Sequence, residues 1–277
     1  MKLKFIAAFA LLALATARAE DAKIVLIAGT PSHGPGEHEF NAGTKLLVEC
    51  LKKVPGVAPV FVPGGWPADE SVFEGAKSVV FFMDGGNNHP MIRGERMASM
   101  KKLMDKGVGL VCLHYAVEFP KGKVGDQMLE WLGGYYETNY SLNPHNDILV
   151  TPTAGHPTTR GVKPFQANDE WYFRIRFRPE DPRVTPILQG DHFIGRDGKE
   201  YDEVSNLAWA TERADGGRAF GFTGAHNHKN WGIADFRKLV LNAILWTAKV
   251  DVPADGVQVD FSAEELAKNL DQKPRTK

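Results

Sequence analysis

Short apolar runs closed by glycine or histidine alternate with segments of helical period through the first half of this chain. KIVLIAG (23–29) is continuously apolar and rich in β-branched residues, which predicts a strand buried on both faces. After the loop TPSHGPGEHEF, the residues Phe40, Leu47, Cys50, Leu51 and Val54 fall on one helical stripe. APVFVP (58–63), KSVVFFMDGG (77–86) and GLVCLH (109–114) read as further strands, and Met97, Met100 and Met104 mark an amphipathic helix that stops at Gly107. This rhythm predicts βαβ units, right-handed crossovers and helices on both faces of a mainly parallel sheet.

Beyond residue 115 the pattern loosens. GDQMLEWLGGYYE (125–137) starts as a helix and DILVTPT (147–153) is a strand, while 155–205, rich in Pro, Arg and aromatics, resists assignment. NLAWATE and RAFGFTGAHN alternate as a strand pair. Phe236, Leu239, Val240, Ala243, Ile244 and Trp246 give the clearest helix of the chain. From Val252 the sequence predicts a tail with a short helix at SAEELAKNL and a charged, frayed end.

The start of the chain changes the picture. MKLKFIAAFALLALATARA has a basic start, an apolar stretch from Phe5 to Leu14 and a small-x-small site at Ala17-Arg18-Ala19, as a cleaved secretory signal does. Cleavage after Ala19 leaves 258 of 277 residues, a length that suits one α/β domain. The product would be periplasmic or secreted, with no stable membrane insertion. Loss of Lys2, Lys4 and Arg18 takes the net charge from −1 to −4, and no basic stripe invites nucleic acid. Two cysteines are too few for a disulfide framework. Cys50 and Cys112 read as buried small hydrophobes, with a bridge between them left open.

The polar residues then supply the chemistry. His33 and His38 follow the first strand, Asp84, Asn87, Asn88 and His89 the third, His114 and Glu118 the fourth, and His226 and His228 the strand before the last helix. Ligands bind outside the carboxyl ends of strands in an open parallel sheet, so these corners converge on one edge. If HNH (226–228) lies on a strand end, both imidazoles point to one side, a metal-ligand geometry. A strained strand-turn-helix elbow requires small residues two positions either side of its centre. Cys112 and Ala116 satisfy that frame around His114, whereas Leu110 and His114 exclude it around Cys112. The elbow therefore carries an imidazole and no thiol nucleophile. A plainer alternative is an imidazole satisfied at a strand end. Asp169 and Glu170 beside Trp171 and Tyr172 suit carbohydrate recognition, or equally an acidic turn entering an aromatic core strand. His145, His156 and His192, in loops, read as surface or hydrogen-bonding residues.

Taken together, SHGPGEHEF, LVCLHYAVE, GHPTTRGV…DEWYF and RAFGFTGAHNHKNWGIADFRKLVLNAILW resemble the ThuA-like, or trehalose-utilisation, family from about Lys23 to Val250. The resemblance implies a flavodoxin-like α/β fold, similar to class I glutamine amidotransferases without their cysteine nucleophile. With the signal peptide read from residues 1–19, it divides the rest of the chain into a ThuA-like domain (20–250) and a tail (251–277). It also implies carbohydrate metabolism, with 3-keto-sugars or disaccharides as substrates, a functional partnership with sugar oxidoreductases and pairing into a homo-oligomer. The motif positions are His33, His38, His114, Glu118, His156, Asp169, Glu170, His226 and His228.

The expected protein is an exported enzyme acting on 3-keto-glycosides with metal assistance. His114, Glu118 and His38 are the candidate catalytic residues, and His33, Asn88, Asp169, Glu170 and Trp231 the candidate substrate contacts. A divalent ion such as zinc is expected on His114, His226 and His228, and no nucleotide cofactor is expected. A non-catalytic sugar-binding protein using the same pocket is the main alternative. A metal-free amidohydrolase-like enzyme using His114 is a third.

Overall fold

A computed structural model describes residues 20–273, so the signal-peptide reading of 1–19 lies outside the described residues. The chain runs β1 (Ala22–Ala28), α1 (Phe40–Leu51), β2 (Val57–Val62), β3 (Ala76–Phe82), α2 (Arg96–Met104), β4 (Gly109–Leu113) and α3 (Lys123–Trp131). It continues through β5 (Gly134–Tyr135), β6 (His145–Pro152), β7 (Phe165–Glu170), β8 (Arg176–Phe177), β9 (Val184–Ile194) and β10 (Glu200–Glu212). The last elements are β11 (Arg218–Phe222), α4 (Ala234–Thr247) and α5 (Ala263–Leu266).

Nine strands form one sheet in the order β2-β1-β3-β4-β11-β10-β9-β6-β7. The β2, β1, β3, β4 and β11 strands are mutually parallel, as their apolar runs require. From β11 outward the pairing is antiparallel through β10, β9, β6 and β7. This is a flavodoxin-like arrangement with an antiparallel extension. Along β1, Ile24, Leu26 and Ala28 join a core with α1 and α4, while Val25 and Ile27 join one with α2 and α3. The pleat thus sends alternate side chains to helices on opposite faces. Eleven of the 14 residues of α4 are buried, which explains why it is apolar nearly all round.

Two features depart from the sequence reading. The unassigned 155–205 stretch contains β7, β8 and β9, and β9 forms a long hairpin with β10. The tail is not frayed through Lys273. Ser262 and Glu265 form a capping box that starts α5, and the Lys273 side chain is only 2 % exposed. Cys50 and Cys112 are both buried and unbridged. Among the described residues no helix is long and apolar enough to cross a membrane.

Candidate functional site

Four segments meet at the carboxyl edge of the parallel strands. The loop after β1 brings His38, the end of β4 brings His114, the end of β7 brings Glu170, and the loop after β11 brings His226. All four side chains are buried, and one ligand atom from each lies within 4.8 Å of the others. His38 Nε2 is 3.0 Å from His114 Nε2 and 2.9 Å from His226 Nδ1. Glu170 Oε2 completes the group at 3.6 Å from His114 Nε2 and 3.4 Å from His226 Nδ1.

Hydrogen bonding behind the rings fixes their protons. His114 Nδ1 lies 2.8 Å from the Thr223 carbonyl oxygen, which can only accept, so Nδ1 carries the proton and Nε2 a lone pair. His38 Nδ1 faces Asp84 Oδ1 at 3.2 Å and donates to it, leaving its Nε2 bare as well. The two bare nitrogens then confront each other at 3.0 Å, and neither can donate to the other. The His226 Nδ1 proton and the Tyr172 hydroxyl, 3.4 Å from His114 Nε2, are the donors near them, whereas a cation at their centre would engage all three inward-facing nitrogens at once. Zinc–nitrogen bonds of about 2.0–2.1 Å at tetrahedral angles would separate ligand atoms by about 3.3 Å. Four of the six spacings, 2.9, 3.0, 3.4 and 3.6 Å, bracket that value, and the other two stay within 4.8 Å. Backing by Asp84 and Thr223 is the outer support that metal-bound imidazoles require. The residues therefore fit a divalent first-row ion.

Electrostatics agree with the geometry. Burial, then the neighbouring His33 and His226, lowers the His38 pKa to about 2. Burial likewise holds His114 well below its ordinary value, with His38 adding to the effect. Burial opposes charge on both Glu170 and His226. For Glu170 the His226 hydrogen bond and nearby imidazoles prevail and bring it down to about 2, while Glu170 raises His226. The centre thus holds an ionised carboxylate and two imidazoles that resist protonation, all competent ligands, while His226, which Glu170 favours in its protonated form, would release a proton on binding a metal.

The backbone around the site is strained. His33, His38 and His114 have φ of 60°, 44° and 52°, and Ala225, preceding His226, has 93°. Left-handed non-glycine residues cost of order 1–3 kcal/mol each and persist only where the surroundings hold them. Around His226, Asp169 is the clamp. Its carboxylate accepts from the Ala225 N–H at 2.7 Å, the Asn227 N–H at 3.0 Å and the Glu170 N–H at 3.0 Å.

Several expected site residues lie elsewhere. Asp169 is 0 % exposed and fully used as that clamp, so it does not contact substrate. Trp231 is buried against Phe82 and Phe236, its ring at 5.9 and 5.3 Å from theirs, and belongs to the core. His228 does not join His114 and His226. The β11 strand ends at Phe222 and a 3-10 turn begins at His228, so pleat alternation no longer applies, and His228 Nε2 donates to the Leu266 carbonyl at 2.8 Å. His156 caps the Pro157–Thr159 turn, accepting from the Thr158 N–H. Asn88 is exposed in the Gly86–Asn88 turn after β3.

Around the centre stand residues open to a ligand. His33 is exposed, with its ring 3.6 Å from that of His38. Glu118 is partly buried and accepts from Thr138 Oγ1 at 2.8 Å, and burial, with Glu170 adding to it, raises its pKa. Tyr172 Oη is 3.4 Å from His114 Nε2, and burial holds the phenol protonated. His145 and Arg196 approach Glu170 Oε1 at 3.8 and 2.6 Å and also line an open cleft of about 720 Å³. The sequence reading placed Asp84 at the converging corners and Tyr172 beside the acidic pair without giving either a role in the site, and it took His145 for a surface or hydrogen-bonding residue. For Tyr172 the signal was its place in DEWYF, and for Asp84 its position directly after a buried strand.

A family profile described as ThuA, trehalose utilisation, matches residues 66–247. Among solved structures, a protein from Bacteroides uniformis ATCC 8492 described only as ThuA-like superposes with a TM-score of 0.60 at 17% identity, covering 90% of this chain and 97% of that one. A second, from Parabacteroides merdae ATCC 43184, gives 0.57 at 14% identity, covering 84% and 92%. A domain described as mmIFT52 N-terminal gives 0.54 at 9% identity over 84% of this chain and all of that one. At these identities the likeness concerns the fold alone. No curated protein matches the chain.

Proposed function

This chain belongs to the trehalose-utilisation (ThuA) family, and on that footing we propose that it is an exported carbohydrate-active enzyme. Its substrates in this reading are 3-keto-glycosides or disaccharides of sugar catabolism, and it works in the periplasm or outside the cell. We place the family domain at 20–250 and treat 251–277 as its tail. The observation that carries the reading is the convergence of His38, His114, His226 and Glu170 at metal-ligand spacing.

In this reading those four residues hold a divalent ion. A bound ion would polarise a substrate carbonyl or lower the pKa of a water. Asp84 and Thr223 keep the Nδ1 protons of His38 and His114 in place, so both Nε2 lone pairs stay inward. His38 is then a ligand and not the base, since both its ring nitrogens are engaged. Glu118 takes the base role. One of its oxygens is held by Thr138, and its raised pKa brings it nearer to neutrality, where a base works best. For a 3-keto-glycoside, removing the proton beside the carbonyl and expelling the aglycone needs one such base and one electrophile. Tyr172, kept as a phenol, donates toward the same locus. His33, His145 and Arg196 stand where sugar hydroxyls would be read.

The test is elemental analysis by mass spectrometry of tag-free residues 20–277 beside His114→Ala, followed by turnover of 3-keto-glycosides. Near-stoichiometric zinc, manganese, iron or nickel that vanishes in the variant, together with metal-dependent turnover, is expected. A metal-free protein that binds sugars without turnover would replace the enzyme by a sugar-capture protein.

A further inference from the structure

The last described residues pack onto the loop that carries His38. Lys273 Nζ donates to the carbonyl oxygens of Glu37, of His38 at 3.1 Å and of Gly34 at 3.5 Å. It also lies 3.4 Å from Glu39 Oε1, in a pair whose side chains are 2 % and 1 % exposed. The Glu39 carboxylate accepts in addition from the Gly36 N–H at 2.8 Å and the Asp271 N–H at 2.6 Å. Asn41 donates to Asp271 Oδ1 at 2.9 Å. On the other side of the loop, the His38 N–H donates to the His226 carbonyl and the His228 N–H to the Gly36 carbonyl, both at 2.9 Å. The His228 ring then reaches the tail at Leu266.

We propose that residues 262–273 form a strap, and that the Lys273 ammonium positions His38 for metal ligation by cross-linking the carbonyls of its loop. Three acceptors on one ammonium are the full capacity of a lysine, so the group is committed to this loop. A segment holding His33 at φ 60° and His38 at φ 44° opposes its own conformational preference. Without the strap the loop relaxes, and His38 Nε2 leaves the point where His114, His226 and Glu170 meet. Lys273 touches neither the four ligand atoms nor the reacting space; it acts through His38 alone. The inference rests on the metal-centre reading for its consequence, though not for the contacts themselves.

Lys273→Met and a chain lacking 268–277 would be compared with the full protein. Zinc affinity by chelator competition should fall about ten-fold or more, the range for losing a support behind a metal ligand. In metal-free protein, hydrogen exchange over 31–39 should rise while exchange in β1, β3 and β4 stays unchanged. Variants that melt at lower temperature yet keep zinc affinity and slow loop exchange would make the strap merely structural and overturn the proposal. If the full protein takes up no zinc, the metal-centre reading fails by itself. The exchange measurement then still decides whether Lys273 holds the His38 loop.

Discussion

Glu170 and His226 are worth most to each other in one range of pH. Glu170 is held at about 2 against an ordinary 4.5, so its contribution to stability is complete above 4.5 and is lost as pH falls toward 2. His226 is raised above its ordinary 6.5, so its contribution is complete below 6.5 and is lost as pH climbs through the folded value. The pair in metal-free protein is therefore fully formed between those limits. Glu170→Gln should destabilise the chelator-treated protein there by about 1.5–3 kcal/mol, the scale of a hydrogen bond to a charged group. Thermal melts across pH should show this gap narrowing toward the alkaline side, and a gap that stays constant would mean His226 is not protonated. Residue identity alone could not assign these roles. Asp169 and Glu170 are adjacent carboxylates, yet one clamps backbone and the other meets the imidazoles. Which faces inward depends on where β7 ends relative to the loop after β11, and neighbouring letters do not carry that.

At the scale of elements, the parallel strands were legible because burial on both faces leaves continuous apolar runs. The β9–β10 hairpin was not. Pro186 and Gly190 interrupt β9, and its buried positions keep no regular period, so neither an apolar run nor a clean alternation marks it. Its importance is mechanical, since β10 supports β11, whose following loop delivers His226. Trp209 on β10 pairs with Gly221 on β11, and a Cβ at Gly221 would meet Trp209 Cζ2 at 2.1 Å. Gly221→Ala should cost about 1–3 kcal/mol by overpacking. The expected result is a lower denaturant midpoint with an unchanged slope, and a midpoint equal to that of the parent would show that the indole can move aside. HNH misled for a related reason. Both rings share a side only if the strand continues through residue 228, and β11 stops at Phe222.

Over the whole molecule, the centre ties together segments that the chain keeps far apart. His38 and His226 touch across 188 positions of sequence, and Lys273 of the strap reaches back across 235 positions to His38. Periodicity predicts which corners face the same edge, but not which side chains reach across it, and the alternating Val257, Val259 and Phe261 of the tail do not tell which loop Lys273 meets. An ion held by four such segments binds the folded chain and not the unfolded one, so it must stabilise the fold by mass action. At a free concentration of 100 times its Kd the gain is about 2.7 kcal/mol. For a domain of this size, about 2–4 °C per kcal/mol makes that a rise in Tm of roughly 5–10 °C. Chelator-treated protein titrated with zinc, manganese or nickel should show such a rise for at least one ion, and His114→Ala should show little. Equal rises in parent and variant would assign the binding to another place on the molecule. No rise with any ion would leave His38 and His114 facing each other without a cation between them, and the centre would have to be read as a proton-sharing network instead.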